Sequence, residues 1–301
     1  MSSFVKQLMA KDIRIPKEWK RIRLGSFRGT IMVIGRSDSG KTTFAKYLFQ
    51  ELCRLYDRVG FLDCDMGQST LGLPTTMTLA LSARAEAAQR TVPPPSQGEV
   101  ISYFVGSTSP RGHMLPTVIG AYKLQRRAQE LGAEAIVVDT TGLVDRAMGG
   151  GELKQWKIEL LQPSTLVGIE RGAELEHILW PWRWDKRVQV YELPVCEYVT
   201  ERSRIERIHY RERKFREYFE KAHNLEVPLG RVIVFGIDRM TRNRLLAFQD
   251  ERGFALALGI AQDYDRNTQT LTVVTPLPGL EGVSSIRFGS LKLDPSSGRE
   301  L

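Results

Sequence analysis

The feature that most constrains the fold is one short motif, Gly35-Arg36-Ser37-Asp38-Ser39-Gly40-Lys41-Thr42. It satisfies the pattern GxxxxGK[ST], a phosphate-binding loop that joins a strand to a helix. The apolar run at 31–34 precedes the motif, and apolar residues at helical spacing follow it over 42–55. The sequence therefore predicts a P-loop that binds a nucleoside triphosphate.

The chemistry of such a loop assigns roles to its residues. Successive backbone N–H groups cradle phosphate oxygens at a helix N-terminus, where the helix dipole favours anions. We expect Lys41 to reach the β- and γ-phosphates and the Thr42 hydroxyl to hold Mg²⁺. The predicted nucleotide-binding residues are Gly35, Arg36, Ser37, Asp38, Ser39, Gly40, Lys41, Thr42 and Thr43.

Short apolar runs continue along the chain and alternate with helical segments. The runs at 59–62 and 136–138 end on Asp63 and Asp139, respectively, and further strands are predicted at 100–105, 165–169 and 188–191. This alternation is typical of a mostly parallel sheet covered by helices on both faces. Ligands of such sheets bind at the carboxyl ends of the strands, where both aspartates lie.

The pattern divides the chain into three parts. Residues 1–29 form a short basic arm, and residues 30–227 form an α/β P-loop domain that includes an arginine-rich helix at 200–222. Residues 228–301 contain short β runs at 232–235, 255–258 and 271–274, which predict a small β-rich C-terminal domain. A proline-rich surface loop is expected at 93–95.

Composition narrows the class of partner and compartment. A net charge of +8 over 301 residues favours a polyanion, because Lys and Arg that neutralise phosphates release counterions. No run approaches the ~20 apolar residues of a membrane span, and the basic N-terminus lacks a secretory core, so we expect a cytoplasmic protein without membrane contact. Three scattered cysteines exclude a disulfide framework and predict buried thiols.

An acidic segment, Asp63-Cys64-Asp65-Met66-Gly67-Gln68, follows the second strand. We expect this strand to lie beside the P-loop strand, with its carboxylates facing the γ-phosphate. One carboxylate is then available for Mg²⁺, and the other can accept the proton of an attacking hydroxyl. The alternative is a pair of strand-end and helix-capping aspartates.

The helix at 200–222 has two interpretations. Arg204, Arg207 and Arg211 recur at steps of three and four, so they share one face, as a lid closing over a triphosphate requires. The alternative is a solvated helix with i,i+4 ion pairs. Two other features are ambiguous: the tryptophans at 180, 182 and 184 favour packing over base stacking, and His113 favours a structural role in its loop over substrate contact.

The order of these motifs resembles the polynucleotide 5′-hydroxyl kinase family, which includes the eukaryotic pre-mRNA cleavage-complex kinase and ribosomal-RNA-processing kinases. The resemblance lies in the P-loop, in Asp-x-Asp-x-Gly-Gln, in the family's "clasp" at 106–110, in the strand end at 139–144 and in the arginine lid. It extends from about residue 30 to residue 220. The resemblance implies transfer of the γ-phosphoryl group of ATP to the 5′-hydroxyl end of a nucleic acid, with RNA favoured and DNA possible.

The resemblance also implies roles for residues outside the P-loop. Asp65 would be the general base, with Lys41, Arg207 and Arg211 as further catalytic residues. Gln68, Thr108, Ser109 and Arg204 would bind the substrate. Thr42 and Asp63 would hold Mg²⁺, with Asp139 as the alternative to Asp63.

Two departures from the family remain. Leu143 stands where eukaryotic members have a tryptophan that stacks on the terminal base. In addition, only about 29 residues precede the first strand, so we expect a minimal form without the eukaryotic N-terminal β-domain. Other functional classes also stay open: a regulatory NTPase that switches an assembly, a non-catalytic RNA-binding module, and a small-molecule kinase.

Overall fold

The computed structural model describes residues 14–83 and 100–301. The proline-rich loop predicted at 93–95 and the first part of the N-terminal arm lie outside the described residues. Within them, contacts divide the chain into two compact units. The first contains residues 14–65, 78–83, 100–101 and 110–201, and the second contains Met66–Met77, Ser102–Ser109 and Arg202–Leu301.

The first unit is an α/β structure whose elements alternate as the sequence predicts. Its strands are β1 (Gly29–Gly35), β2 (Arg58–Asp63), β3 (Thr76–Ala83), β5 (Ala135–Asp139), β6 (Thr165–Glu170) and β7 (Gln189–Pro194), and β4 (Val100–Phe104) begins in it. Its helices are α1 (Lys17–Lys20), α2 (Lys41–Leu55), α3 (Met114–Glu130), α4 (Gly150–Leu161) and α5 (Glu176–Leu179).

The strand order of this unit is β7-β6-β1-β5-β2-β3. All neighbouring pairs are parallel except β2 with β3. The expectation that β2 lies beside β1 is wrong, because the chain returns through α3 and inserts β5 between them. As a result, Asp139 rather than Asp63 ends the strand next to the P-loop strand, with Val33 opposite Asp139 and Asp63 opposite Asp139 in the register.

Helices cover both faces of this sheet, as predicted. Phe61 of β2 contacts Phe49 of α2, with ring centroids 5.7 Å apart. A Cβ built on the preceding residue, Gly60, would lie 3.6 Å from the Cβ of Ala128 in α3. Because successive strand residues point to opposite faces, α2 and α3 lie on opposite sides of β2.

The N-terminal part of this unit packs through an aromatic cluster. Trp19 of α1 is 3% exposed, and its ring lies 5.1 Å from Phe44 and 5.6 Å from Tyr47. The prediction that the three later tryptophans pack is wrong for Trp180 and Trp184, which are 54% and 73% exposed. They lie in a short 3₁₀ turn, Trp180–Trp184, that leaves their rings outside the core.

The second unit is rich in β-structure. It contains α6 (Arg204–Phe219), β8 (His223–Pro228), β9 (Ile233–Phe235), β10 (Arg244–Gln249), β11 (Ala255–Asp265), β12 (Thr270–Thr275) and β13 (Ser285–Lys292). The order β11-β10-β13-β9 is extended by β12 on β11 and by β8 on β12. Phe215 and Phe219 of α6 pack on Phe104, Leu245 and Leu258, which anchors the predicted lid helix to these strands.

Other predictions concern single residues and boundaries. Of the cysteines, Cys64 is buried as expected, whereas Cys53 and Cys196 are only partly buried. The boundary predicted near residue 228 stays a prediction, since contacts group all of Arg202–Leu301 with two shorter segments. Among the described residues, no helix is long and apolar enough to cross a membrane.

Candidate active site

The P-loop has the backbone geometry that phosphate binding needs. It leaves β1 at Gly35 and enters α2 at Lys41, with Gly40 as the N-cap at φ 82°. Asp38 also has a positive φ, 54°. The first N–H groups of a helix point toward its N-terminus, here into the loop, and no side-chain hydrogen bond caps them in α2. Phosphate oxygens are bound by such groups in P-loops.

Neighbouring strand ends hold this loop in place. A Cβ on Gly35 would lie 2.8 Å from the carbonyl oxygen of Ile169, and one on Gly142 would lie 2.5 Å from the Ser37 nitrogen. The Arg171 side chain donates a hydrogen bond to the Asp38 carbonyl at 2.9 Å. Sequence reasoning missed Arg171, because it lies more than a hundred residues from the motif and belongs to no pattern.

Lys41, Thr42 and Asp139 lie together at the start of α2. Lys41 is 6% exposed, and the Thr42 hydroxyl donates a hydrogen bond to Asp139 Oδ2 at 2.7 Å. In P-loop enzymes the hydroxyl at this position and a strand-end aspartate bind Mg²⁺. The geometry therefore favours Asp139, the alternative ligand of the sequence prediction, over Asp63.

The environment of Asp139 is suited to a cation. Burial raises the pKa of Asp139 to about 7, Lys41 opposes this shift, and Asp63 adds to it. Its Oδ1 atom is buried without a hydrogen-bond partner in the described structure. A divalent cation would satisfy this oxygen and neutralise the charge. Residues 14–83 and 100–301 contain no cluster of three or more His, Cys, Asp and Glu arranged for a metal, and Mg²⁺ on a nucleotide needs only one or two carboxylates.

In the acidic segment after β2, the side chain of Asp63 helps to position Asp65. The Asp65 backbone nitrogen donates to Asp63 Oδ1 at 3.1 Å, which fixes the turn after the strand. Asp63 is 1% exposed, whereas Asp65 is half-buried. Asp63 therefore orders the turn at the end of its strand, and Asp65 is the more exposed of the two carboxylates.

A cleft of about 460 Å³ opens beside the first residues of the P-loop. One wall is the segment after β5. In this segment the Val144 carbonyl oxygen lies 2.9 Å from His177 Nε2, within hydrogen-bonding distance. Leu143, the residue in place of the family's tryptophan, directly precedes Val144 and is half-buried. The lining residues are Arg36, Val144, Asp145, Arg146, Ala147, Ala173, Glu174, Glu176 and His177.

The second unit contains the remaining predicted residues. Gln68 Nε2 donates to the carbonyl of Arg207 at 3.3 Å, and the Tyr210 hydroxyl donates to the carbonyl of Ser69 at 2.7 Å. These bonds attach the segment after Asp65 to helix α6. Gln68 and the lid helix are therefore placed as one group.

The clasp is a glycine turn fixed by strand β13. Gly106 has a φ of 81°, and a Cβ there would lie 2.7 Å from Gly289 Cα. The Ser290 nitrogen donates to the Gly106 carbonyl at 2.8 Å. Thr108 and Ser109, the two predicted substrate-binding residues, follow in this turn and are half-buried.

The lid arginines differ in their surroundings. Ser203 caps α6 in a capping box: the Glu206 nitrogen donates to Ser203 Oγ at 3.2 Å, and the Ser203 nitrogen donates to Glu206 Oε2 at 2.6 Å. Arg204 is exposed in the first turn, and Arg207 is half-buried. Arg211 is engaged differently, since its Nε donates to Glu300 Oε1 at 2.6 Å.

The predicted residues fall into two groups according to the unit that contains them. Lys41, Thr42, Asp63, Asp65 and Asp139 belong to the first unit, together with the whole P-loop. The substrate-binding and lid residues belong to the second unit: Gln68, Thr108, Ser109, Arg204, Arg207 and Arg211. His113, by contrast, is the N-cap of α3, and its Nδ1 lies 3.2 Å from the Arg111 carbonyl oxygen.

Comparison with known proteins agrees with this architecture. The chain is 28% identical to the polyribonucleotide 5′-hydroxyl-kinase MJ1315 of Methanocaldococcus jannaschii, in an alignment that covers 90% of this chain and 88% of that protein. It is 27% identical to the polyribonucleotide 5′-hydroxyl-kinase PF0112 of Pyrococcus furiosus, covering 98% and 97%.

A solved structure shares the fold. The Clp1p chain of a Clp1p–Pcf11p complex superposes with a TM-score of 0.66 at 14% identity, covering 91% of this chain and 77% of that one. The family model described as "mRNA cleavage and polyadenylation factor CLP1 P-loop" matches residues 35–221, from the P-loop to the end of the lid helix. The chain belongs to this CLP1 P-loop family.

Proposed function

We propose that this protein transfers the γ-phosphoryl group of ATP to the 5′-hydroxyl end of a polynucleotide, with RNA as the favoured substrate. The observation on which this rests is the Thr42–Asp139 contact at the P-loop, with the Asp65 carboxylate in the same unit. A triphosphate site with a separate proton acceptor is what a kinase needs. The relatives named polyribonucleotide 5′-hydroxyl-kinase match over nearly their whole length.

The P-loop binds the triphosphate through backbone donors and one cation. The amides after Gly35 surround the phosphates, and Lys41 neutralises charge on the group in transfer. Because Lys41 is almost fully buried, its charge is screened less by water than that of a surface lysine. Positioning and charge compensation are the main contributions of a protein to phosphoryl transfer.

Mg²⁺ is the proposed cofactor, held by the Thr42 hydroxyl and the Asp139 carboxylate. When bound there, Mg²⁺ would supply positive charge against the charge that develops on the phosphate. Asp63 has a different role here, since its Oδ1 accepts the bond from the Asp65 nitrogen. In this proposal Asp63 sets the position of Asp65, and Asp139 is preferred over it as the metal ligand.

Asp65 is the proposed general base, which accepts the proton of the 5′-hydroxyl as its oxygen attacks the γ-phosphorus. The bond from the γ-phosphorus to the β,γ-bridging oxygen breaks, and ADP leaves. The roles that the family resemblance implies for five further residues are part of the proposal. Gln68, Thr108 and Ser109 supply polar contacts, and Arg204 and Arg207 supply charge. Arginine suits this purpose, because its planar guanidinium donates two parallel hydrogen bonds to phosphate.

The test is transfer of label from [γ-³²P]ATP to 5′-hydroxyl RNA and DNA oligonucleotides. Asp65→Asn should reduce labelling about 100- to 10,000-fold, the usual contribution of a general base, while ATP still binds. Lys41→Ala should abolish labelling and weaken ATP binding. Asp57→Asn, a change of the same chemistry at an exposed position, is the control and should match wild type.

The result also separates the alternatives. A wild-type protein that hydrolyses ATP but labels no end would be a regulatory NTPase, and the kinase proposal would be wrong. RNA binding that survives Lys41→Ala without any turnover would indicate a binding module. Labelling of free nucleosides in preference to oligonucleotides would indicate a small-molecule kinase.

A further inference from the structure

Helix α4 contains two lysines that are completely buried. Lys154 and Lys157 are both 0% exposed, on a helix that ten residues separate from the end of β5 at Asp139. Buried ammonium groups are strongly disfavoured unless they are paired and hydrogen-bonded. The sequence motifs assign no role to either residue, so their retention in the core needs a reason.

The two lysines have different partners. Lys154 Nζ donates to the Thr141 carbonyl at 2.7 Å and contacts Thr141 Oγ1 at 3.1 Å. Lys157 Nζ has no hydrogen-bond partner within the described part of the chain. Although they lie one turn apart on the same helix face, only Lys154 is joined to the end of β5.

The segment that Lys154 contacts lies against the P-loop. Thr140 Oγ1 donates to the Val33 carbonyl of β1 at 2.8 Å. This bond joins the residue after β5 to the P-loop strand. Beyond it, Gly142 lies so close to the P-loop that a Cβ there would be 2.5 Å from the Ser37 nitrogen and 2.8 Å from Ser37 Cα. A displacement of Thr141 would therefore displace the backbone at Ser37.

The electrostatic environment links Lys154 to the same region. Burial lowers the pKa of Lys154 well below its usual value, and the charges of Lys157 and Lys41 add to this shift, whereas Asp65 opposes it. Lys154 is thus close enough to interact with the P-loop lysine and with the proposed base.

We propose that Lys154 is a positioning residue for the triphosphate site: its two contacts with Thr141 hold the Thr141–Gly142 turn against Ser37 and so fix the P-loop. Its kinetic consequence rests on the proposed function, but its effect on ATP binding does not. Lys157, which lacks such contacts, has no part in this role.

The test compares two changes of the same chemistry on the same helix. Lys154→Met removes the donor with little change in shape, and Lys157→Met is the matched control. We expect Lys154→Met to raise the Kd of a fluorescent ATP analogue about 10-fold and to lower kcat/KM about 100-fold, the loss that misplacement of a reacting group causes. Lys157→Met should stay within about 2-fold of wild type in both measurements, as expected for a residue outside the site.

Thr141→Val provides a second route if Lys154→Met does not fold. It removes Oγ1 but keeps the carbonyl acceptor, so the Kd for the analogue should rise by an intermediate factor of about 3, as for the loss of a weak hydrogen bond. RNA binding without ATP should be unchanged in each variant. Thermal unfolding monitored by circular dichroism tests whether the variants are folded at the assay temperature.

The outcomes decide the role. Native ATP affinity in folded Lys154→Met, or equal losses in Lys154→Met and Lys157→Met, would overturn the proposal and leave Lys154 as a packing residue. If wild type binds the analogue but labels no RNA end, the proposed function fails, while the Kd values still decide the role of Lys154.

Discussion

Asp139 is a carboxyl group in surroundings that disfavour its negative charge when no cation is bound. Its carboxyl group is buried and lies in register with Asp63, which raises its pKa to about 7. Thr42 donates to one oxygen, while the other has no partner in the described structure. A residue placed in this way destabilises the metal-free fold above its pKa, and the proposed role as a Mg²⁺ ligand accounts for its retention.

This placement predicts how stability depends on pH. The unfolded chain releases this proton near the ordinary value of 3.8, whereas the folded protein holds it until about pH 7. The folded state therefore binds more protons between these values, and stability falls as pH rises through that window, by at most about 1.4 kcal/mol per pH unit.

The measurement is urea unfolding in EDTA at pH 5 and pH 8. Wild type should be less stable at pH 8, and Asp139→Asn should lose much of this difference, because it removes the titrating group. Mg²⁺ with ATP should restore wild-type stability at pH 8, since a ligand that binds only the folded state stabilises it. An equal pH dependence in wild type and Asp139→Asn would contradict the prediction.

Sequence patterns locate some of these residues and not others. Lys41 and Thr42 belong to a contiguous motif, and Asp139 ends a recognisable apolar run, so all three were predictable. Lys154 was not, because lysine is almost always a surface residue and nothing local distinguishes a buried one. The preference between Asp63 and Asp139 depended on strand order, which the local sequence does not determine.

Among the elements, some helices were predictable from the sequence and others were not. Helix α2 was predicted because its apolar residues follow a 3.6-residue period. Helices α3 and α4 were not located: α3 exposes Leu115 and Ile119, and α4 buries two lysines. Apolar residues on the outer face and charged residues on the inner face both weaken the periodic signal.

The lid helix offers a test at the level of one element. Ser203 and Glu206 cap the turn that contains Arg204 and Arg207. Ser203→Ala should cost about 1 kcal/mol through loss of the cap, which corresponds to a fall in Tm of about 2 °C. Because the first turn frays, the KM for RNA should rise while the Kd for ATP at the P-loop stays unchanged.

Ser203→Asp is the matched control, since aspartate also accepts the backbone hydrogen bond at an N-cap. It should keep the wild-type Tm and KM. If Ser203→Ala lowers the Tm without changing the KM for RNA, the arginines of this turn do not bind the substrate.

For the whole molecule, the grouping of distant segments was the least predictable feature. Met66–Met77 and Ser102–Ser109 belong with Arg202–Leu301, although more than ninety residues separate the second segment from the third. Bonds such as that from Tyr210 to Ser69 create this grouping. Neither partner has a distinctive local pattern, so the β-rich character of the C-terminal part was predictable but its assembly with these segments was not.

The net charge of +8 gives a prediction for the whole molecule. If the protein binds RNA through phosphate contacts, log K for RNA should fall linearly with log salt, with a slope of about −0.7 per phosphate neutralised on a single strand. Equilibrium binding of a 5′-hydroxyl oligoribonucleotide between 50 and 300 mM NaCl measures this slope.

Arg204→Ala should reduce the magnitude of the slope by about 0.7, because Arg204 is exposed on the lid helix. Arg266→Ala, an exposed arginine in the turn between β11 and β12, should leave it unchanged. Equal slopes in all three proteins would show that Arg204 contacts no phosphate of the RNA, and the lid would then act only on ATP.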